Sequence, residues 1–468
     1  MSTVSSSLTP EWEKSSGSLH ILVVLYVIAF ALPLQVEIGG LVFTTNRLLL
    51  FVVIIPLSFN LLRGRYGGIL LVDILFFLHM LWGTIALSVN NPDRVLAFMG
   101  SNSIEFIGGY VIARAYIRNV DDFRRLCWLI ICLVLTTFPF AVYETITDNT
   151  IIVRLIESIP GVSSTTIANS APRFGFERVQ VFLPHPIHYG LFTSLILAIL
   201  FVGFRGSLSD MTRYGISLVV LACTMMSLSS GAVLAAFLQI GLIGWAWVFR
   251  KIETCWLILF AVLITMYVVI DLLSNRTPIQ VFLHYATFNA HNAYFRKIIF
   301  EWGMKNVWAN PVLGIGLNDW ERPVYMRSGS MDNFWLVMAV RYGLPGFVFL
   351  AFGYLYGLWR IARRDFDSDV LLVQLRQAWV ICMAGLIFTL TTVHIWGEIY
   401  SFVFFFFGAG MWMITATPNS GEANLTSTSG MSDNRRRVRD SNDMEQVTKA
   451  GTKIPYSRFP SHHKRYGA

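Results

Sequence analysis

The stretch "DNFWLVMAVRYGLPGFVFLAFGYLYGLW", residues 332–359, decides the fold. From Phe334 onward it is almost unbroken apolar sequence, longer than the roughly 20 residues an α-helix needs to cross a bilayer. Its only charges are Asp332 at the start and Arg341 some turns in. Charge is costly in lipid. The excess length therefore predicts that the first turns project into a wet outer cavity, or that Arg341 snorkels to the interface. Asp332 stands where a helix N-terminus favours a carboxylate, as a cap or as a reactive group.

The rest of the 468 residues reads the same way. The chain is 55% hydrophobic and 14% charged, where a soluble protein carries about a quarter charged residues. The apolar residues come in long runs rather than amphipathic stripes, so the expected fold is all-α, a polytopic helical integral membrane protein. A window of roughly 19 residues finds about twelve transmembrane helices. They lie near 19–36, 41–62, 69–89, 100–117, 125–146, 186–204, 213–229, 231–249, 254–273, 333–359, 377–394 and 398–416. Two long outer loops are expected, near 147–185 and 274–332. The organisation read from this is a disordered N-terminus (1–18), a membrane domain (19–416) and a disordered basic tail (417–468) with "NRRRVRD" at 434–440. The first run contains "AFA" at 29–31, similar to a signal-peptidase site. Only Lys14 precedes it as a charge-bearing n-region, and the run is read as an uncleaved span.

The formal net charge is +8. In a soluble chain that would suggest nucleic acid, but here the charges sit between spans and set topology. Arg63 and Arg65, Arg114, Arg118, Arg124 and Arg125, Arg205 and Arg213, Arg250 and Lys251, and Arg360, Arg363 and Arg364 fall in alternate short loops. That side is expected to be cytoplasmic, with both termini on it. The five cysteines lie in or beside apolar runs without metal spacing and are read as small packing residues.

The two long loops break the charge rule. They hold Arg154, Arg173, Arg178, Arg276, Arg296, Lys297, Lys305, Arg322 and Arg327. Arginine-rich outer loops suit an anionic ligand, although long loops also translocate regardless of charge. The first ends in "RFGFERVQVFLPHPIHYG" (173–190), where Pro184 and Pro186 put His185 in a turn. In the second, Tyr294 to Val307 is apolar at helical spacing and predicts an amphipathic helix on the membrane surface. "NPVLGIGL" (310–317) then breaks it; "GIG" has neither Rossmann spacing nor a Walker lysine and reads as a flexible turn. His394, Glu398, Glu105 and Asp73 are further candidates, since ionisable groups in or beside apolar runs are functional by default. Asn46 and Arg47 are read as interface anchors.

Together these pieces resemble the O-antigen ligase/polymerase superfamily of membrane glycosyltransferases. The family's ordered elements are matched by "RVQVFLPHPIHYG" (178–190), "SLSSGAVLA" (227–235), "YFRKIIFEW" with "NPVLGIGL" (294–317) and "DNFWLVMAVRYGLPG" (332–346). Two departures stand out. Ligases of the family open the last element with histidine where this chain has Asp332, and "SSG" lacks an arginine that many relatives carry. The "HN" at His291–Asn292 precedes the "GIG" element and is out of place.

The resemblance implies an inner-membrane protein of a Gram-negative bacterium whose long loops are periplasmic. It implies polymerisation of polyprenyl-diphosphate-linked oligosaccharide repeat units into exopolysaccharide, capsule or O-antigen. Asp332, Arg178 and Arg296 would be catalytic; Arg173, His185, Arg322, Arg327 and Arg341 would bind substrate. No metal or other cofactor is expected, nor any nucleic acid. Partners would be the lipid-linked glycan, membrane lipid, a chain-length regulator and export machinery. A ligase moving glycan to lipid A core is the nearest alternative. A flippase or transporter is another, though the absence of a visible internal repeat disfavours it; so is a non-catalytic scaffold of a secretion complex.

Overall fold

The computed structural model describes residues 18–38, 41–274, 278, 281, 290–366 and 369–417, all within one compact unit. The expected terminal disorder falls on 1–17 and 418–468, outside the described residues. A helix stands at each of the twelve expected spans. Among the described residues nine helices are long and apolar enough to cross a membrane, and Ile21–Ala31 and Glu398–Ile414 are shorter apolar ones. Asp210–Met226 fills the remaining position with 17 residues. The all-α polytopic fold is thus present.

The first two spans are shorter than the apolar runs. Helix α1 (Ile21–Ala31) stops before Pro33, and the chain continues as strand β1 (Leu34–Ile38). Strand β2 (Leu41–Thr44) pairs with it antiparallel, and Ser163–Ser164 from the first long loop adds a third strand. Helix α2 (Thr45–Leu62) then starts where the Thr44 hydroxyl accepts from the Arg47 N–H at 3.3 Å, a conventional N-cap. At the other end of the chain, helix α3 (Glu398–Gly408), "EIYSFVFFFFG", is buried from Ile399 onward. A helix apolar all round belongs in the centre of a bundle. Its Phe402, Phe404 and Phe407 rings meet Phe30, Phe76 and Tyr354.

The helix containing the opening stretch, α4 (Phe334–Ala362), is broken at Gly343, which has φ 72° and ψ 178°. Pro345 has no N–H, so the Arg341 carbonyl loses its helical partner, and the break frees its neighbours too. Each freed group is satisfied from outside the helix. Ile315 N–H donates to the Val340 carbonyl at 2.9 Å, Gly316 N–H to Arg341 at 3.0 Å, and Trp82 Nε1 to Tyr342 at 3.0 Å. In return the Leu344 N–H donates to the Pro311 carbonyl at 2.7 Å. "GIG" is therefore no flexible turn: residues 311–316 splice the two halves of the helix together. Asn90 and Asn91 hold the same loop from its other side.

A Cβ on Gly343 would lie 2.1 Å from the Val312 carbonyl oxygen, in a backbone region where side chains are also strained. Gly343→Ala should cost about 2 kcal/mol or more. It should be read as a lower apparent melting temperature and lower yield of monodisperse protein in detergent.

The second loop contributes helix Ala290–Ala309, covering the expected 294–307. It packs on the N-terminal half of α4 rather than standing apart: a Cβ on Gly303 would meet Leu336 at 2.6 Å, and Ile298, Ile299 and Val307 are buried.

Candidate functional site

The anchor of the site is the turn Ser227–Gly231. Leu228 adopts φ 45°, and Ser227 Oγ accepts from the Ser229 N–H at 3.3 Å. The Leu228 carbonyl accepts from Arg173 Nη1 at 2.6 Å, and Ser230 Oγ is 3.4 Å from its donor Arg296 Nη2. Arginines from both long loops thus converge on one small-residue turn. Small residues are needed there because the "HPIHYG" helix presses against it: a Cβ on Gly190 would sit 2.3 Å from Ser227 Oγ. Phe334 N–H donates to the Val393 carbonyl at 3.0 Å, which ties the segment bearing Asp332 to the connection 391–397.

Five of the expected site residues come together: Arg173, Arg178, His185, Arg296 and Asp332. Burial pushes the Arg178 guanidinium down to about 10, and the neighbouring Arg173 charge adds to it. Burial lowers Arg296 too, against the Asp332 carboxylate, which favours its charged form. Arg178 Nε and Arg296 Nη1 are buried with no hydrogen-bond partner among the described residues. Three guanidinium charges therefore face one carboxylate, with donors left over. A buried cation without an anion is destabilised, and an incoming anion would relieve this.

His185 caps its helix, accepting from the Ile187 N–H at Nδ1 (3.1 Å). Burial first, then Arg178, push its pKa down to about 4 despite Asp332. The ring is neutral at neutral pH, with Nε2 as donor. Asp332 is exposed, and its carboxylate accepts from Ser330 Oγ at 2.9 Å. It is not the helix cap; Asn333 is, through Oδ1 and the Leu336 N–H at 3.0 Å.

The other expected residues lie elsewhere. Arg322 is engaged within its own loop, pairing with Asp319 and donating to the Met326 carbonyl at 3.1 Å. Arg327 is exposed. Arg341 lines a separate cavity with its guanidinium 5.0 Å over the Phe98 ring. Asp73 is fully buried: it caps its helix, accepts from Tyr110 and lies 3.4 Å from Arg114, a packing role. Arg47 is more than an interface anchor, since it pairs with Glu105 at 2.6 Å across two helices.

One positioning residue escaped the sequence reading. Glu144 accepts from the backbone N–H groups of Gln180 (2.8 Å) and Val181 (3.0 Å), fixing the segment just after Arg178. The signal was available: it is a carboxylate at the end of an apolar run. Among the described residues, no group of three His, Cys, Asp or Glu side chains converges as a metal centre would need.

No curated protein matches the chain at a significant level. Residues 215–351 match the family model described as O-antigen ligase. That segment contains the Ser227–Gly231 turn, Arg296, the helix splice and Asp332, and begins after the first arginine element. Over that segment, less than half of its length, the chain is similar to the O-antigen ligase family.

Proposed function

We propose that the protein is a glycosyltransferase that polymerises polyprenyl-diphosphate-linked oligosaccharide repeat units on the periplasmic face of the bacterial inner membrane, yielding exopolysaccharide, capsule or O-antigen. The observation carrying this reading is the surplus of buried arginine donors beside a single exposed carboxylate. Both termini would lie in the cytoplasm, following the arginine distribution in the short loops.

In this scheme Arg173, Arg178 and Arg296 hold the donor's diphosphate through charge-assisted, planar contacts. Asp332 accepts the proton of an acceptor hydroxyl. The hydroxyl oxygen forms a bond to the anomeric carbon as the bond from that carbon to the diphosphate oxygen breaks. The electron pair leaves with the lipid diphosphate, whose charge the arginines stabilise. His185, neutral, donates from Nε2 to a sugar oxygen. Asp332 in place of the ligases' histidine supports polymerase over ligase.

Purified protein incubated with a lipid-linked repeat unit should give a ladder of products differing by one unit. Transfer only to a different lipid acceptor would instead make it a ligase. Absence of any transfer would favour a transporter or scaffold.

A further inference from the structure

Beside the arginine cluster lies a cavity of about 340 Å³, lined by Arg47, Glu105, Arg341, His394, Trp396 and Tyr400 among others. Its size falls in the range of small-molecule sites, roughly 300–1,000 Å³. The connection 391–397 forms the partition. Trp396 lines the cavity, yet its ring centroid is 4.1 Å from that of His188 and 5.9 Å from that of His185 on the arginine side. The two compartments are one indole apart.

The cavity's chemistry is uneven. Glu105 is committed to Arg47 at 2.6 Å. Arg341 makes no ion pair among the described residues; its guanidinium rests over the Phe98 ring and beside the Tyr342 hydroxyl, while a second carboxylate, Glu398, lies near enough to Glu105 to act on its charge. His394 adds no charge, because burial and then Arg341 hold its pKa down at about 3. Its Nδ1 is buried without a hydrogen-bond partner among the described residues. Trp396 is 44% exposed and offers a flat apolar face. A flat aromatic, a neutral imidazole and a planar unpaired cation match a pyranose ring with hydroxyls and one negative group. A phospholipid headgroup would satisfy the cation but has no flat ring for the indole.

We propose that this cavity receives a saccharide unit of the acceptor, and that Arg341 selects a unit bearing a carboxylate, as in a hexuronic acid. The proposal rests on the reading of the chain as a glycan transferase. It adds a second subsite, which holds the attacking glycan while the arginine cluster holds the leaving diphosphate.

The test is isothermal titration of the purified full-length protein in phosphatidylcholine nanodiscs. The probes are a trigalacturonate and its carboxyl-reduced counterpart. The acid should bind roughly 10- to 100-fold more tightly, and Arg341→Gln should erase that preference. Ala97→Phe, which fills the cavity from an exposed wall position, should weaken both ligands and leave the arginine cluster untouched. Equal binding of acid and neutral sugar, a preference that survives Arg341→Gln, or unchanged affinity in Ala97→Phe would each overturn the subsite. Loss of trigalacturonate binding when phosphatidylglycerol is added to the nanodiscs would assign the cavity to a lipid headgroup and also overturn it. Acid-selective, Arg341-dependent binding without product formation from any lipid-linked donor would sink the glycosyltransferase reading and leave the subsite standing. A ladder without acid selectivity would do the reverse.

Discussion

Alanine at Arg178 or Arg296 should cut polymer formation roughly 30- to 1,000-fold, the loss of about 2–4 kcal/mol of transition-state stabilisation. The two residues come from different loops, yet each has a buried N–H group with no partner among the described residues. In the proposed scheme both hold the leaving diphosphate. Lysine keeps the charge but not the planar fork, so Arg178→Lys and Arg296→Lys should retain part of the activity. The measurement is product length and amount from purified variants with a lipid-linked donor, at matched protein levels. Near-normal polymer from both alanine variants would show that these residues do not hold the donor.

Asp332→Asn should lower polymerisation by roughly 100- to 10,000-fold, the usual contribution of a general base. Ordinarily such a substitution at a helix start is ambiguous, because asparagine and aspartate cap equally well. Here the ambiguity is removed: Asn333 makes the cap, and Asp332 is exposed with a hydrogen bond to Ser330. The Asn variant should therefore insert and melt like the wild type while failing to elongate. Wild-type chain lengths from it would take Asp332 out of the chemistry.

Long apolar runs make helices readable at the twelve expected positions, nine of them long and apolar enough to cross a membrane among the described residues, because the bilayer leaves the backbone few alternatives to helix. What local sequence could not show was partnership at a distance. Arg47 and Glu105 are separated by 58 positions, so each read as an isolated charge. "GIG" read as flexible because its hydrogen-bond partners lie in the broken part of a later helix. Arg322 was counted with the ligand-binding arginines, although Asp319 stands three residues before it and engages it. Residue type and loop position point to Arg173, Arg178 and Arg296, and the structure sets Arg173 and Arg296 on the Ser227–Gly231 turn with Arg178 near Arg173. Asp332 was nominated partly through family resemblance, and its distinction from the capping residue needed atomic positions.

The splice at Gly343 also bears on how such proteins can be recombined. Residues 311–316 supply the donors that the interrupted helix lacks, and Pro311 accepts from its far half. Neither segment is a self-sufficient part. A chimera that takes the loop from one relative and the helix from another would join two unmatched halves of a single hydrogen-bonded joint. Any exchange of this region with a similar protein should therefore use residues 290–346 as an indivisible cassette, together with the asparagines at positions 90 and 91 that grip it from outside.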